Sequence, residues 1–110
     1  MAGREERIGL NEAVFREVNE RIEQLSDSFH LRSEPLDLVC ECGDASCLNR
    51  ISMSHAEYEQ LRADARRFGV YPGHVASDAE ELVEKRKGYD IVLKSEGAAK
   101  RIAEETDPRS

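Results

Sequence analysis

The sequence predicts an α+β domain: a small antiparallel sheet with a zinc knuckle, a long N-terminal amphipathic helix and short flanking helices. Three observations carry this. Apolar residues recur at helical spacing across residues 11–26. Two short apolar runs, residues 36–40 and 49–53, read as strands on either side of a turn. The chain's three cysteines all fall inside that turn, as Cys40-Glu41-Cys42-Gly43-Asp44-Ala45-Ser46-Cys47.

The first element is the helix. Asn11 can cap its N-terminus, with Glu12 near the positive end of the dipole. Val14, Phe15, Val18, Ile22 and Leu25 share one face. That face reads as a core-packing side. A heptad reading also fits, with Ile8, Phe15 and Ile22 at one position and Asn11, Val18 and Leu25 at the other, which would make it a dimerising seam. Residues 1–10 are expected to be a flexible N-terminus, residues 11–105 a single zinc-stabilised domain, and residues 106–110 a flexible tail.

Pro35 ends a polar connection and starts the first strand, which enters the knuckle. Gly43 follows Cys42 directly, where a sharp bend needs a positive φ. The second strand leaves the knuckle and runs into Ser54-His55-Ala56-Glu57, a capping box that opens a second helix with Tyr58 and Leu61 inward. Residues 68–74 read as a loop closing on Pro72-Gly73-His74, and residues 75–80 as polar and flexible. Residues 82–85 and 89–94 are strand-like, joined at Lys87-Gly88. Residues 97–105 form a last short helix.

Composition narrows the function. The chain has 110 residues, 39% of them hydrophobic and 35% charged, with no Trp. So small an apolar core gains from a structural metal. The net charge of −7 argues against a nucleic-acid partner. Arg62, Arg66 and Arg67, and Lys85-Arg86-Lys87, read as solvated basic faces. The N-terminus is charged and lacks an apolar leader, and no stretch is apolar enough to span a membrane. A reducing cytoplasm is therefore the expected location, and it favours metal thiolates over disulfides.

Cys40, Cys42 and Cys47 supply three thiolates, and structural zinc takes four Cys or His ligands. His30, His55 and His74 compete for the fourth place. A strand rises about 3.3 Å per residue, so His30 and His55 fall at the far strand ends, His55 roughly 20 Å away. The second helix climbs back toward the knuckle, and the loop that follows it ends on His74. The expected metal site is Cys40, Cys42, Cys47 and His74, with zinc as cofactor. Glu41 and Asp44 could substitute as ligands. They fit better as acceptors around the site or as turn residues.

The residues also resemble a family of small uncharacterised bacterial proteins of actinobacterial type. Its pattern is similar to Phe15-Arg16-Glu17-Val18-Asn19-Glu20-Arg21-Ile22, the cysteine segment, Glu57-Tyr58-Glu59-Gln60-Leu61-Arg62 and Arg67-Phe68-Gly69-Val70-Tyr71-Pro72-Gly73-His74. Tyr89-Asp90-Ile91-Val92-Leu93-Lys94 departs slightly, with Ile91 in place of a valine. The resemblance spans most of residues 15–94. It implies a site of three cysteines and one histidine and a bacterial cytoplasmic setting. It implies no reaction.

A closed site of that kind leaves no position for a substrate or an activated water. No P-loop, G-x-S-x-G, H-E-x-x-H or deaminase signature is present. No catalytic residue is assigned, and the chain reads as a protein-interaction or regulatory module. The partner is another protein or a second copy, met through the N-terminal helix. Enzymatic function stays open: without His74 on the metal, the site becomes a zinc-thiolate redox sensor or a small hydrolase, with Glu41 or Asp44 as general base.

Overall fold

The structure is a computed structural model and describes residues 3–29, 33–75 and 79–109. Its elements are α1 (Arg4–Ser28), β1 (Leu36–Val39), β2 (Arg50–Met53), α2 (His55–Arg62), β3 (Arg67–Val70), β4 (Glu80–Arg86), β5 (Tyr89–Lys94) and α3 (Ala98–Glu105). The fold is α+β, with antiparallel strands and a long N-terminal helix, as expected.

The strands form two sheets. β1 pairs with β2, from Leu36 opposite Met53 to Val39 opposite Arg50. Alternation puts Leu36, Leu38, Ile51 and Met53 on the inner side. β3, β5 and β4 form the second sheet in that order, with a bulge at Leu82–Glu84. β3 was expected as loop. Its four residues pair with β5 through Phe68 opposite Val92, and Phe68, Gly69 and Val70 are buried. Ala79 and Glu80, expected in a polar flexible stretch, are buried too.

α2 starts at the predicted capping box. Ser54 Oγ accepts from the Glu57 N–H at 3.1 Å, and Glu57 Oε1 accepts from the Ser54 N–H at 2.8 Å. Tyr58 and Leu61 join Leu36, Leu38, Ile51 and Met53 in one core cluster. Phe68, Val70, Val92 and Ala103 form another, packed against Cys40 and Cys42.

α1 differs from its prediction in extent and in face. It begins at Arg4, capped by Gly3, which offers no side-chain bond. Asn11 lies inside the helix, where its Nδ2 donates to the Gly43 carbonyl at 2.9 Å. The inner side of α1 is mostly polar: Ile8, Glu12, Arg16, Asn19, Glu20 and Glu23 are buried, whereas Val14, Val18 and Leu25 face out. Phe15 and Ile22 are half-buried. The reason is specific pairing: these inward side chains find partners on the elements beneath them or on the chain's end. Arg16 donates to the carbonyls of Ala65 and Ala103, both at 2.7 Å. Its guanidinium also sits 4.9 Å over the Phe68 ring. Glu12 and Glu80 both pair with the buried ammonium of Lys94. Burial holds the Glu12 carboxyl well above the usual range; Lys94 pulls it down and Glu80 pushes it further up.

The chain end is tied to the same helix. Arg109 pairs with Glu20 at 2.6 Å, Glu59 at 2.7 Å and Glu23 at 3.0 Å. A loose tail was expected there; the clustered carboxylates instead give Arg109 a dock.

Candidate metal centre

The cysteine segment sits between the two sheets. The Cys40 N–H donates to the Asn49 carbonyl at 3.1 Å, extending the β1–β2 pair. The next N–H, of Glu41, donates to the Gly69 carbonyl of β3 at 2.9 Å. The chain then turns at Gly43, whose φ is +81. A Cβ there would meet Ile8 Cγ2 at 2.7 Å, so both backbone and packing require glycine. Asp44 Oδ1 accepts from the Ser46 N–H at 2.9 Å and from its hydroxyl at 2.7 Å, which closes the turn and brings Cys47 round. Asp44 is thus a turn residue.

Four donors meet at this turn. Cys40, Cys42, Cys47 and His74 each offer an atom, and all four atoms lie within 4.8 Å of one another. His74 Nδ1 is 3.8 Å from Cys40 Sγ and 3.7 Å from Cys47 Sγ. Ligands at zinc–sulfur and zinc–imidazole bond lengths around one tetrahedral centre stand about 3.5–3.8 Å apart. Both imidazole–sulfur distances match that spacing, and the four groups together can coordinate a metal ion. Cys40 and Cys42 are buried; Cys47 and His74 are half-buried.

His74 arrives on the turn after β3. Its N–H donates to the Tyr71 carbonyl at 3.0 Å, and the Gly73 N–H donates to Asp90 Oδ2 at 3.1 Å. The Tyr71 ring meets the imidazole edge-on, with centroids 5.3 Å apart. These contacts aim the ring at the sulfurs. The Tyr71 N–H also donates to Cys40 Sγ at 3.0 Å, and Asn49 Nδ2 reaches Cys47 Sγ at 3.7 Å. Burial pushes the Cys40 and Cys42 thiols up, against backbone donors from Tyr71 and Asp44. At Cys47 the burial effect is outweighed by hydrogen bonds from the Asn49 backbone and from neighbouring side chains, and the thiol is lowered.

Glu41 lies between two of the cysteines, but both its oxygens are engaged elsewhere. Oε1 accepts from Arg62 at 2.9 Å and from the Gly69 N–H at 3.0 Å; Oε2 accepts from Asn19 at 2.7 Å. Neither is left for a general base. Asn19 also clasps β1, donating to the Val39 carbonyl at 3.0 Å and accepting the Val39 N–H at 2.9 Å. Arg62, expected on a solvated face, is buried by this network. Sequence reading missed Asn19 and Arg62 as supports. A signal existed: Glu12, Arg16, Asn19, Glu20 and Glu23 repeat at helical spacing, a polar face as regular as the apolar one.

The other histidines lie elsewhere. His30 is outside the described residues. His55 is buried, with Nε2 3.1 Å from Ser26 Oγ and Nδ1 3.6 Å from Asp27. This has the order of a serine triad. Ser26, however, sits in the last turn of α1, where unsatisfied carbonyls make the potential negative, the wrong sign for an oxyanion.

No protein-family profile, curated protein or solved structure matches this chain. Among the described residues, no helix is long and apolar enough to cross a membrane.

Proposed function

We propose that this chain is a small zinc-stabilised interaction module of the bacterial cytoplasm, with a structural rather than catalytic metal. One observation carries the reading: three sulfurs and one imidazole nitrogen converge within 4.8 Å, on a turn held by its own hydrogen bonds. Zinc bound to Cys40, Cys42, Cys47 and His74 would cross-link the β1–β2 turn to the loop after β3. Its four ligands would all be protein groups, which is how structural sites differ from catalytic ones. Three thiolates on a divalent ion leave net negative charge, and the N–H groups of Tyr71, Asp44 and Asn49 are placed to offset it. The outer face of α1 would be the surface that meets a partner. The likeness to small actinobacterial-type proteins belongs to the same proposal.

Elemental analysis of purified protein tests the metal, with about one zinc per chain expected. Zinc retention against a chelator tests the ligand set. His74→Ala should lose zinc more readily, His74→Cys should largely keep it, and His55→Ala should match the parent. Well under one equivalent of metal in a folded protein would overturn the reading. Parent-like retention by His74→Ala would move the site to the open, water-bearing class.

A further inference from the structure

The cysteine cluster is closed on one side and open on the other. Cys40 is 2% exposed; its N–H donates to the Asn49 carbonyl, and its Sγ accepts the Tyr71 N–H at 3.0 Å. The other side meets solvent. A polar cavity of about 230 Å³, lined by Arg4, Cys42, Asp44, His74 and Val75, opens onto the cluster. Cys47 is half-buried, in a stretch without regular secondary structure that runs into Leu48, which is 90% exposed. Two of the three sulfurs, those of Cys42 and Cys47, are thus within reach of a small solute.

We propose that this open edge is a hydroperoxide-responsive switch, in which Cys47 and Cys42 are oxidised to a disulfide and the metal is released. This rests on the reading of Cys40, Cys42, Cys47 and His74 as a zinc site, and adds its regulation. No open coordination position is needed, because sulfur itself is the nucleophile. The Cys47 thiolate attacks one oxygen of the peroxide and breaks the O–O bond; Cys47 becomes a sulfenic acid and hydroxide leaves. The Cys42 thiolate then attacks the Cys47 sulfur, forming the S–S bond and expelling a second hydroxide. The two thiolates give up two electrons, the peroxide accepts them, and two protons from solvent convert the hydroxides to water. Cys40 and His74 remain as two ligands where structural zinc takes four.

Geometry selects the pair. All four donor atoms lie within 4.8 Å of one another. A disulfide needs about 2.05 Å, so the two sulfurs have to close by less than about 3 Å. Four residues separate Cys42 from Cys47, enough for their turn to give. A Cys40–Cys42 bridge would instead have to bend around Glu41, which Arg62, Asn19 and the Gly69 N–H hold in place. The reactive turn also carries the Gly43 carbonyl, which accepts from Asn11 of α1 at 2.9 Å. Oxidation therefore reaches the helix whose outer face would meet a partner.

The test treats the full-length, zinc-loaded protein with a small excess of hydrogen peroxide beside a zinc-responsive dye. About one zinc per chain should be released. Two of the three thiols should be lost with it, and the mass should fall by two hydrogens. Proteolytic cleavage before Asp44 separates Cys42 from Cys47, so the two peptides should stay joined until reduced. Fragmentation should place the bridge on Cys42 and not on Cys40. Hydrogen exchange should rise across residues 67–75 and in the first half of α1, and dithiothreitol with zinc should reverse every change. Well under one zinc per chain before peroxide is added would overturn the zinc reading and the switch together. Zinc retained through the treatment, a bridge between Cys40 and Cys42, or irreversible addition of oxygen to sulfur would overturn the switch alone.

Discussion

Glu41 and Arg62 form an ion pair of 2.9 Å with both side chains almost fully buried. Glu41 stands between two cysteines of the cluster and Arg62 ends α2, so this pair fastens the turn to the helix that leads back toward it. The Arg62 guanidinium also lies 5.4 Å over the Tyr58 ring and 5.5 Å over Phe68. Buried charge of this kind is stable only while paired.

Glu41→Gln should therefore destabilise the fold by about 3–5 kcal/mol, the usual cost of leaving one member of a buried pair uncompensated. Urea unfolding at fixed metal concentration measures it. Zinc affinity should fall with it, because the amide keeps only one acceptor oxygen, so either Asn19 or the Gly69 N–H is left facing an NH2 group. A change below about 1 kcal/mol would mean that water reaches Arg62.

Gly43→Ala should cost about 1–3 kcal/mol and weaken metal binding. The new methyl group would press on Ile8 of α1, and the backbone at φ +81 would be strained. Ile8→Ala in the same chain should relieve the clash but not the strain. Thermal melts of the two single variants and the double variant separate these contributions.

Lys94→Met should be among the most damaging single changes. It leaves Glu12 and Glu80 buried together without their shared cation. We expect a loss of about 3–5 kcal/mol, partly recovered when Glu12→Leu is added. Denaturant midpoints for Lys94→Met, Glu12→Leu and the double variant check this. Recovery would show that repulsion and desolvation at Glu12 drive the loss.

Glu23 sets a pH dependence. Burial first, then Glu59 and Glu20, push its carboxyl up to about 7 from an ordinary 4.5, while Arg109 opposes them. The folded state thus binds this proton more tightly than the unfolded chain does. The resulting stability is fully present below 4.5 and is lost as pH rises through about 7. In Glu23→Gln that slope should vanish. Urea midpoints of parent and variant across this window are the measurement, and parallel curves would place the titration elsewhere.

Much of the site could be read from the chain because its parts are local. The cysteine spacing, the bend at Gly43 and the capping box at Ser54 are short-range patterns, and each appears where it was expected. His74 came from strand and helix rises, which are nearly constant. β3 was harder, because Phe68-Gly69-Val70 has no alternation and gains strand geometry only by pairing with β5. The orientation of α1 was out of reach for a physical reason. Periodicity locates two faces, but it cannot tell which one meets the sheets when the inward face is held by hydrogen bonds and ion pairs instead of apolar contact.

That inward polar face also fixes where the chain can change length. Each added residue turns a helix by about 100°. An insertion between Glu12 and Asn19 would therefore let either Lys94 or the Val39 backbone keep its partner, but not both. The β4–β5 turn at Lys87-Gly88 has no such obligation: Lys87 is exposed, and there is open space around Gly88. A peptide tag or fluorophore loop placed there should leave the cysteine turn, the carboxylate clamp and the outer helix face untouched.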